Sequence, residues 1–388
     1  MRNVNLKSII LIILVIALLG AFLFIYQFLR QNVNLSAFTS QAEIVDVDLP
    51  PGFEMNIFAK ELDGPRFIAF GPKGDLYVAE RGAGRITRLP DEDQDGVADR
   101  RVIFQADLDR PHSIVYQQGS WFVGVPTGII RLDDNDQTGS ADDKSVIVDD
   151  IPGSGQHTTR TVAFIPDGRM LLSVGSSCNS CVEEDPRRAA IVVYENAQGE
   201  GGEIFARGLR NAVGLTIQPD TNDVWATNNA RDLMGDDIPP DSLHRVEQGQ
   251  DYGWPSCHAG QIPDPDLGGA EACQGVPKPA LQIQAHSAPL GLVFYDGSTF
   301  PVEYMGGLFI AYHGSWNRTD PTGYKVVFAP FEDSLPNGEI KDFATGWLDP
   351  ETEEVYGRPV GLAVGPDGAL YVSDDKAGVI YRIQYRPD

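Results

Sequence analysis

The sequence has few basic residues. Lys and Arg together number 30 against 55 Asp and Glu, and the formal net charge is −25. A surface of this sign repels phosphate backbones and leaves no basic patch to bind them. Helical periodicity is also almost absent after residue 30. These two absences argue against nucleic acid as a partner and against a helical fold.

Cysteine is scarce as well. The four cysteines form two close pairs, Cys178 with Cys181 and Cys257 with Cys273. In an exported chain such pairs predict two local disulfides. A Cys-x-x-Cys pair could instead belong to a zinc site or a haem attachment. Haem attachment needs a histidine where Val182 stands, and no second pair has metal-ligand spacing, so both alternatives are weak.

Only one long apolar run exists, over residues 9–26, and its length suits a helix that crosses a bilayer. Two basic residues precede it, so the positive-inside rule places the rest of the chain beyond the membrane. The pattern predicts a signal anchor over residues 1–30, a polar tether over residues 31–48 and a membrane-anchored domain on the periplasmic or extracellular side. A cleaved signal peptide, cut near Ala37 or Ala42, is the alternative and exports the same domain.

A repeated unit fills the rest of the chain. An apolar stretch, a turn and an apolar strand recur six times, with the turn residues Gly74, Gly119, Gly168, Asn222, Gly306 and Gly368. Their spacing matches four-stranded blades. The sequence therefore predicts an all-β, six-bladed β-propeller over residues 49–388, with an insertion over residues 235–289. The segment FEMNIFA, near residue 53, is predicted to complete the last blade.

Five loops carry polar residues that could do chemistry, and these residues are His157, Arg160, Arg210, Asn211, Asn229, Arg231, Asp232, Asp236, Asp237, Asp241, His313, Trp316, Arg318 and Arg358. Taken singly, a loop histidine or arginine is more often structural or solvated, and an acidic run is often a plain turn. Three of the loops precede equivalent strands, however, so their side chains should meet at one end of the central channel. This convergence favours a functional site.

The motifs in these loops resemble, in kind and order, the sorbosone dehydrogenase branch of the quinoprotein glucose/sorbosone dehydrogenases. They are H-T-T-R-T from His157, G-L-R-N from Gly208, N-N-A-R-D from Asn228, H-G-S-W-N-R from His313 and G-R-P-V-G-L from Gly357. The resemblance extends from near Pro50 to the C-terminus.

The resemblance implies an enzyme that oxidises a sugar (aldose or sorbosone-like) or a polyol, with pyrroloquinoline quinone (PQQ) and calcium as cofactors and an external electron acceptor. It implies His157 as the general base, with Arg210 and Asn211 stabilising negative charge on the quinone. It implies cofactor binding by Arg160, Arg231, His313, Trp316, Arg318 and Arg358. It places the active-site calcium at the backbone carbonyls of Asp232 and Leu233.

Two acidic loops lie outside these motifs. Asp91, Asp93, Asp95 and Asp99 are spaced like the first half of a calcium loop, and residues 134–142 repeat the spacing with a threonine in place of one aspartate. Neither loop has the closing glutamate of an EF-hand. The first loop predicts a peripheral calcium site, and a plain acidic hairpin turn is the alternative.

Two other functions stay open. A calcium-dependent propeller lactonase shares the architecture, but it needs acidic and amide side chains that converge on a metal, whereas the convergent residues here are His and Arg. A non-catalytic, surface-binding propeller is the third hypothesis, and the combination of His157 with Arg210 speaks against it.

Overall fold

The computed structural model of the protein describes residues 14–15, 18–21, 45 and 47–387. These residues form six four-stranded antiparallel sheets, the blades of a β-propeller, which confirms the predicted fold class. Among the described residues, no helix is long and apolar enough to cross a membrane. Most of the predicted anchor over residues 1–30 and of the tether over residues 31–48 lies outside the described residues, and both stay predictions.

The first three blades follow one another along the chain. Blade 1 contains β2 (Pro65–Phe70), β3 (Leu76–Glu80), β4 (Arg85–Leu89) and β5 (Val102–Gln105). Blade 2 contains β6 (Ser113–Gln117), β7 (Ser120–Val125), β8 (Gly128–Asp133) and β9 (Asp143–Val148). Blade 3 contains β10 (Arg160–Phe164), β11 (Met170–Val174), β12 (Ala190–Tyr194) and β13 (Gly201–Arg207).

Blades 4 and 5 carry additional two-stranded ribbons. Blade 4 contains β14 (Leu215–Ile217), β15 (Val224–Asn228), β16 (Asp241–Val246) and β19 (Leu281–Ile283), with a ribbon of β17 (Cys257–His258) and β18 (Ile262–Pro263). Blade 5 contains β20 (Pro289–Phe294), β21 (Leu308–Tyr312), β22 (Lys325–Ala329) and β25 (Lys341–Ala344). A 3₁₀-helix (Val302–Tyr304) precedes β21, and a ribbon of β23 (Phe331–Glu332) and β24 (Leu335–Pro336) precedes β25.

The last blade joins the two ends of the propeller. It contains β26 (Pro359–Val364), β27 (Leu370–Asp374), β28 (Val379–Tyr385) and, as its outer strand, β1 (Phe53–Ala59). In the antiparallel pair of β1 and β28, Phe53 lies opposite Tyr385 and Ile57 lies opposite Tyr381. The prediction that FEMNIFA completes the last blade is therefore confirmed. This pairing also removes the free edges that an open ring would expose.

The turn between the first two strands of each blade explains the repeat seen in the sequence. Its last residue has a positive φ, for example +87° at Gly74 and +93° at Gly168. Glycine adopts this conformation without steric cost, and asparagine tolerates it better than most residues do. Asn222 fills the equivalent position of blade 4 with φ +63°.

The core consists of apolar layers between neighbouring blades. Every residue of β7 and of β11 is buried, because each blade is covered on both faces. One layer, for example, packs Phe122 and Ile129 of blade 2 against Leu172 and Val174 of blade 3. Strands covered on both faces need continuous rather than alternating apolar residues, as this sequence has.

The first strand of each blade lies next to the propeller axis, and these six strands contact one another around the ring. A small apolar cluster lies beside these innermost strands. It consists of Val213, Leu290 and Val360, with Phe67 packed against it. Val213 and Leu290 also form part of the wall of a polar cavity at one end of the axis. The loops that lead into the innermost strands therefore surround a site with an apolar base.

The structure narrows the predicted insertion over residues 235–289. Strands β16 and β19 of blade 4 lie within it, and the excursion between them spans residues 247–280. The disulfide between Cys257 and Cys273 ties this excursion together. The second predicted disulfide, between Cys178 and Cys181, is also present.

Candidate active site

A cavity of about 260 Å³ opens at the end of the propeller where the loops enter the innermost strands. Its lining includes most of the loop residues singled out in the sequence, namely His157, Arg210, Asn211, Asn229, Asp232, Asp241, His313, Trp316 and Arg358. These residues come from four blades and are far apart in the chain. The predicted convergence of the loops therefore holds for this set.

His157 lies in the loop before β10 and presents one ring nitrogen to the cavity. Its Nδ1 lies 2.8 Å from the Ser176 hydroxyl oxygen and 3.1 Å from the Ser176 carbonyl oxygen. The hydroxyl donates its own proton to the Cys178 carbonyl at 2.6 Å, so both Ser176 oxygens accept at Nδ1. We infer that Nδ1 carries the proton and that Nε2 has a free lone pair.

The electrostatic surroundings keep this imidazole neutral. Burial, with a further contribution from the Arg210 charge, lowers the pKa of His157 to about 3. Nε2 forms no hydrogen bond within the part of the chain that the structure describes. A neutral imidazole with an unshared Nε2 can accept a proton from a bound hydroxyl group.

Arg210 is fixed from several sides immediately before β14. Its Nη2 donates to a carboxylate oxygen of Asp232 at 2.7 Å and to the side-chain oxygen of Asn179 at 2.8 Å. Its Nε donates to the Asn179 carbonyl at 3.0 Å, and Nη1 donates to the Asn229 carbonyl at 3.3 Å. The charged group therefore stays in one orientation while it lines the cavity.

A glycine allows His157 and Asn211 to approach each other. A Cβ on Gly175 would lie 2.6 Å from the side-chain oxygen of Asn211 and 2.6 Å from the Cβ of His157. Both distances are far below van der Waals contact, so any side chain at position 175 would separate the two residues. No local pattern distinguishes this glycine from the others in the chain.

The opposite side of the cavity has a second charged cluster around Asp375. One carboxylate oxygen of Asp375 accepts from Arg66 at 2.5 Å, and the other lies 2.9 Å from His313 Nε2. Arg358 donates to the carbonyls of His313 and Gly314 at 3.0 and 2.8 Å. Burial, and then the Arg358 charge, lowers the pKa of His313 to about 4. Arg66 and Asp375 were not predicted from the sequence.

Positive side chains outnumber negative ones in this cavity. Four guanidinium groups line it, those of Arg66, Arg81, Arg210 and Arg358, against the carboxylates of Asp232 and Asp241 in the lining and that of Asp375, which pairs with Arg66. The Asp232 carboxylate is already paired with a guanidinium. The Asp241 carboxylate accepts from the backbone N–H groups of Ala230 and Ala288, both at 2.8 Å, and burial raises its pKa to about 6. The excess charge suits a ligand with several carboxylates.

Asn317 gives a further sign of a ligand site. It lines the cavity and is only 5% exposed. Both polar atoms of its side-chain amide lack a hydrogen-bond partner among the described residues. A buried amide without partners is costly, so the arrangement indicates that a bound molecule satisfies it.

Three arginines predicted to contact the cofactor lie outside the cavity lining, because each is engaged elsewhere. Arg160 is fully buried and donates to the carbonyls of Pro152, His157 and Thr159. Arg231 pairs with Asp264 and Asp266. Arg318 pairs with the Asp236 carbonyl and with the Asp237 carboxylate. Arg160 therefore supports the His157 loop, and the other two brace surface loops.

One of the two backbone carbonyls predicted to bind the active-site calcium already accepts a hydrogen bond. The Asp232 carbonyl accepts a hydrogen bond from the Asn179 amide at 3.0 Å. Leu233 does not line the cavity, and its side chain is 57% exposed. A calcium ion at these two carbonyls stays a prediction.

Comparison with known proteins identifies the family of this chain. The TrAA12-like family matches residues 47–386. The chain belongs to the TrAA12-like family. A PQQ-dependent pyranose dehydrogenase of Coprinopsis cinerea is 28% identical over 420 residues, and the match covers 86% of this chain and 55% of that protein. A PQQ-dependent sugar dehydrogenase of Hypocrea jecorina is 25% identical over 398 residues, with 87% and 89% covered.

The fold of this TrAA12-like chain is shared with solved structures. The family AA12 carbohydrate-active enzyme of Trichoderma reesei superposes with a TM-score of 0.77 at 24% identity, over 89% of this chain and 99% of that one. The relatives confirm the predicted link to PQQ-dependent sugar dehydrogenases. The narrower assignment to a sorbosone dehydrogenase branch stays a prediction.

The acidic loop between β4 and β5 brings predicted calcium ligands together on the rim of this TrAA12-like propeller. Carboxylate oxygens of Asp91, Asp93 and Asp99 lie within 4.8 Å of one another. The fourth predicted ligand, Asp95, is not part of this group. All four carboxylates accept backbone N–H groups within the loop. A calcium ion here stays a prediction.

Calcium is expected to raise the melting temperature of the TrAA12-like domain, because a cation would offset the mutual repulsion of these carboxylates. Melting curves with calcium and with chelator measure the effect. Asp93→Ala should abolish it, and Asp136→Ala in the related loop should leave it unchanged. Identical melting temperatures of the unaltered protein in both conditions would show that the loop is a plain acidic turn and does not bind calcium.

Buried titratable groups predict how stability depends on pH. Burial lowers the pKa of five histidines, namely His112, His157, His244, His258 and His313. It raises the pKa of Asp241 to about 6 and of Asp374 to about 7. Below the ordinary histidine pKa of about 6.5, the unfolded chain therefore binds more histidine protons than the folded chain, and the carboxyls with raised pKa values, which include Asp91 as well, oppose this.

The unfolding free energy is accordingly expected to fall by about 2 kcal/mol or more between about pH 7 and pH 5, since five histidines have lowered pKa values and fewer carboxyls have raised ones. Urea unfolding across this range measures it. A free energy that stays constant or rises toward pH 5 would contradict the predicted protonation states.

Proposed function

We propose that this protein oxidises a hydroxyl-bearing carbon of a sugar, aldose or sorbosone-like, or of a polyol, with PQQ as the electron acceptor. One observation carries the proposal. His157 Nε2 and the Arg210 guanidinium face one cavity in which positive charge predominates, although the whole chain carries a net charge of −25. The PQQ-dependent relatives support the same conclusion.

The residues present fit the cofactor. PQQ bears several carboxylates, and the guanidinium groups of Arg66, Arg81 and Arg358 would bind them. The unpartnered amide of Asn317 would complete its polar contacts. When bound, PQQ supplies the quinone that accepts a hydride from the substrate carbon.

His157 would take the proton that leaves the substrate hydroxyl group. Its Nε2 is unprotonated, and the Nδ1–H group donates to Ser176, which stabilises the positive ring that forms. General bases of this kind contribute about 10²–10⁴ in rate. The pKa of about 3 reflects burial and the nearby guanidinium, and a bound polycarboxylate would raise it toward neutrality by offsetting that charge.

Arg210 would stabilise negative charge that develops at the quinone oxygen. It is buried, with 3% of its side chain exposed, so its field is weakly screened by water. Its hydrogen bonds fix its orientation before the reaction, which is the condition for electrostatic stabilisation of a transition state. Asn211 follows it in the chain and lines the same cavity.

The lactonase hypothesis finds less support in the cavity. Asp232 and Asp241 line the cavity together with the amides of Asn211, Asn229 and Asn317. Among the described residues, however, no group of three His, Cys, Asp or Glu side chains converges there. One cavity carboxylate, that of Asp232, is paired with Arg210. A metal held mainly by protein carboxylates would compete with these interactions.

We propose further that the domain works outside the cytoplasm, held by the N-terminal anchor, and passes electrons to an external acceptor. Two disulfides support an oxidising compartment. The sequence pattern over residues 9–26 supports the anchor.

The deciding experiment is a titration of the full chain, in mild detergent, with PQQ and calcium. Calorimetry follows binding, and reduction of a redox dye follows turnover across a panel of aldoses, sorbosone and polyols. Saturable, PQQ-dependent dye reduction is the expected result. Absence of PQQ binding with calcium present would refute the proposal and return the lactonase and surface-binding hypotheses.

A further inference from the structure

The Cys178–Cys181 loop (residues 176–183) contacts both residues to which the proposed function assigns chemistry. Ser176 accepts the hydrogen bond from His157 Nδ1. Asn179 accepts from Arg210 through its side-chain oxygen and through its backbone carbonyl. The loop does not itself line the cavity, so it acts on the site only through these neighbours.

Asn179 forms hydrogen bonds with two residues of the site, Arg210 and Asp232, and fixes their relative position. Its side-chain oxygen accepts from Arg210 Nη2 at 2.8 Å and from the backbone N–H of Asp232 at 2.8 Å. Its side-chain nitrogen donates to the Asp232 carbonyl at 3.0 Å. The primary amide thus satisfies both backbone groups of Asp232, whose carboxylate is itself paired with Arg210. Only a side chain with adjacent donor and acceptor atoms can do this.

The surroundings of the loop restrict Asn179. The disulfide closes a ring with only two residues between the cysteines. The backbone N–H and hydroxyl of Ser177 donate to the Glu183 carboxylate at 2.6 and 2.7 Å. Ser180 makes a longer hydrogen bond, to Asp264 at 3.1 Å, which does not involve Asn179 or Arg210. A short closed ring that is braced by the Ser177–Glu183 hydrogen bonds has few alternative conformations, so the amide is held ready for Arg210.

We propose that Asn179 is a positioning residue that holds the Arg210 guanidinium toward the quinone site, and that the Cys178–Cys181 disulfide keeps Asn179 in place. The inference rests on the proposed function, in which Arg210 stabilises charge in the transition state. A shift of the Arg210 guanidinium by less than the length of one hydrogen bond would weaken the stabilisation of the transition state. It would weaken substrate binding less.

The test compares Asn179→Ala with Ser180→Ala, a control within the same disulfide ring that leaves the Arg210 contacts intact. Asn179→Ala is expected to lower kcat about 10–100-fold with little change in KM. The Kd for PQQ, measured by calorimetry, should rise, because Arg210 is no longer held in place. Ser180→Ala should keep kcat and the Kd for PQQ near the unaltered values.

A double-mutant cycle separates positioning from general loss of structure. In an Arg210→Lys background the guanidinium is absent, so Asn179→Ala should lower kcat less than about threefold further. A full additive loss would show that Asn179 acts independently of Arg210 and would overturn the inference.

The disulfide is tested by replacing both of its cysteines with serine. Cys178→Ser with Cys181→Ser should lower kcat as Asn179→Ala does, whereas Cys257→Ser with Cys273→Ser should affect mainly the melting temperature. If the unaltered protein turns over and Asn179→Ala has the same kcat as Ser180→Ala, the inference is refuted and the proposed function is not. An unaltered protein that does not bind PQQ would refute the proposed function and the inference with it.

Discussion

Replacing His157 with asparagine is expected to lower kcat by about 10²–10⁴. The asparagine amide nitrogen can replace the Nδ1–H group that donates to Ser176, so the loop should keep its conformation. It offers nothing in place of Nε2, which faces the cavity. The loss is therefore confined to the group that accepts the substrate proton, and steady-state dye reduction at saturating PQQ measures it.

His244→Asn is the matched control for this substitution. His244 is also a buried imidazole whose pKa burial lowers to about 3, but it hydrogen-bonds Ser242 within blade 4 and does not line the cavity. The melting temperature should fall in both variants, whereas kcat should fall only in His157→Asn. The Kd for PQQ should stay within about threefold of the unaltered value in each, since neither residue carries a charge that binds carboxylates. Equal kcat in the two variants would remove His157 from the mechanism.

The propeller could be predicted because its physical cause is local and repeated. Each blade needs a positive-φ turn followed by a strand buried on both faces, and a residue such as Gly74 or Asn222 marks that turn directly. The last of the six blades then needs one strand from elsewhere in the chain to be complete. The segment FEMNIFA has the pattern of such a strand. The sequence pattern did not predict strand β16. This strand buries the polar residues Asp241, Ser242 and His244, which break the apolar pattern of a core strand.

Part of the candidate site was predictable from position in the repeat. His157, Arg210 and Arg358 lie in loops at equivalent positions before innermost strands, so repeat position alone brought them together. Arg160 and Arg231 have the same charge and similar settings in the sequence, but their guanidinium groups are satisfied by carbonyls and carboxylates nearby. Residue type cannot show which partner a guanidinium has.

Arg66 and Asp375 could not be paired from local patterns, because 309 residues separate them in the chain. They meet only because β1 closes the ring and brings blade 1 beside blade 6. A signal was nevertheless present. Arg66 is next to Pro65, which begins the innermost strand of blade 1, and Arg358 is next to Pro359, which begins the innermost strand of blade 6. Aligning the six repeats on their innermost strands would have placed Arg66 at the cavity.

Replacing Asp375 with asparagine is expected to cost about 3–5 kcal/mol of unfolding free energy in the absence of PQQ. Burial would raise the pKa of Asp375, but His313 and Arg66 outweigh it and hold the pKa well below its usual range. The carboxylate is therefore charged in the folded state, and it balances a guanidinium whose side chain is only 8% exposed. Without it, Arg66 is left buried beside Arg358. Urea unfolding of the apo protein measures the loss.

Two comparisons show whether the loss comes from uncompensated charge. Asp342→Asn breaks a partly exposed pair with Lys325 and should cost less than about 1 kcal/mol. PQQ should raise the melting temperature of Asp375→Asn more than that of the unaltered protein, because its carboxylates would supply the missing negative charge beside Arg66. An apo Asp375→Asn protein as stable as the unaltered one would show that Arg66 does not depend on this carboxylate. A smaller stabilisation by PQQ in that variant would mean that Asp375 shapes the cavity more than it balances its charge.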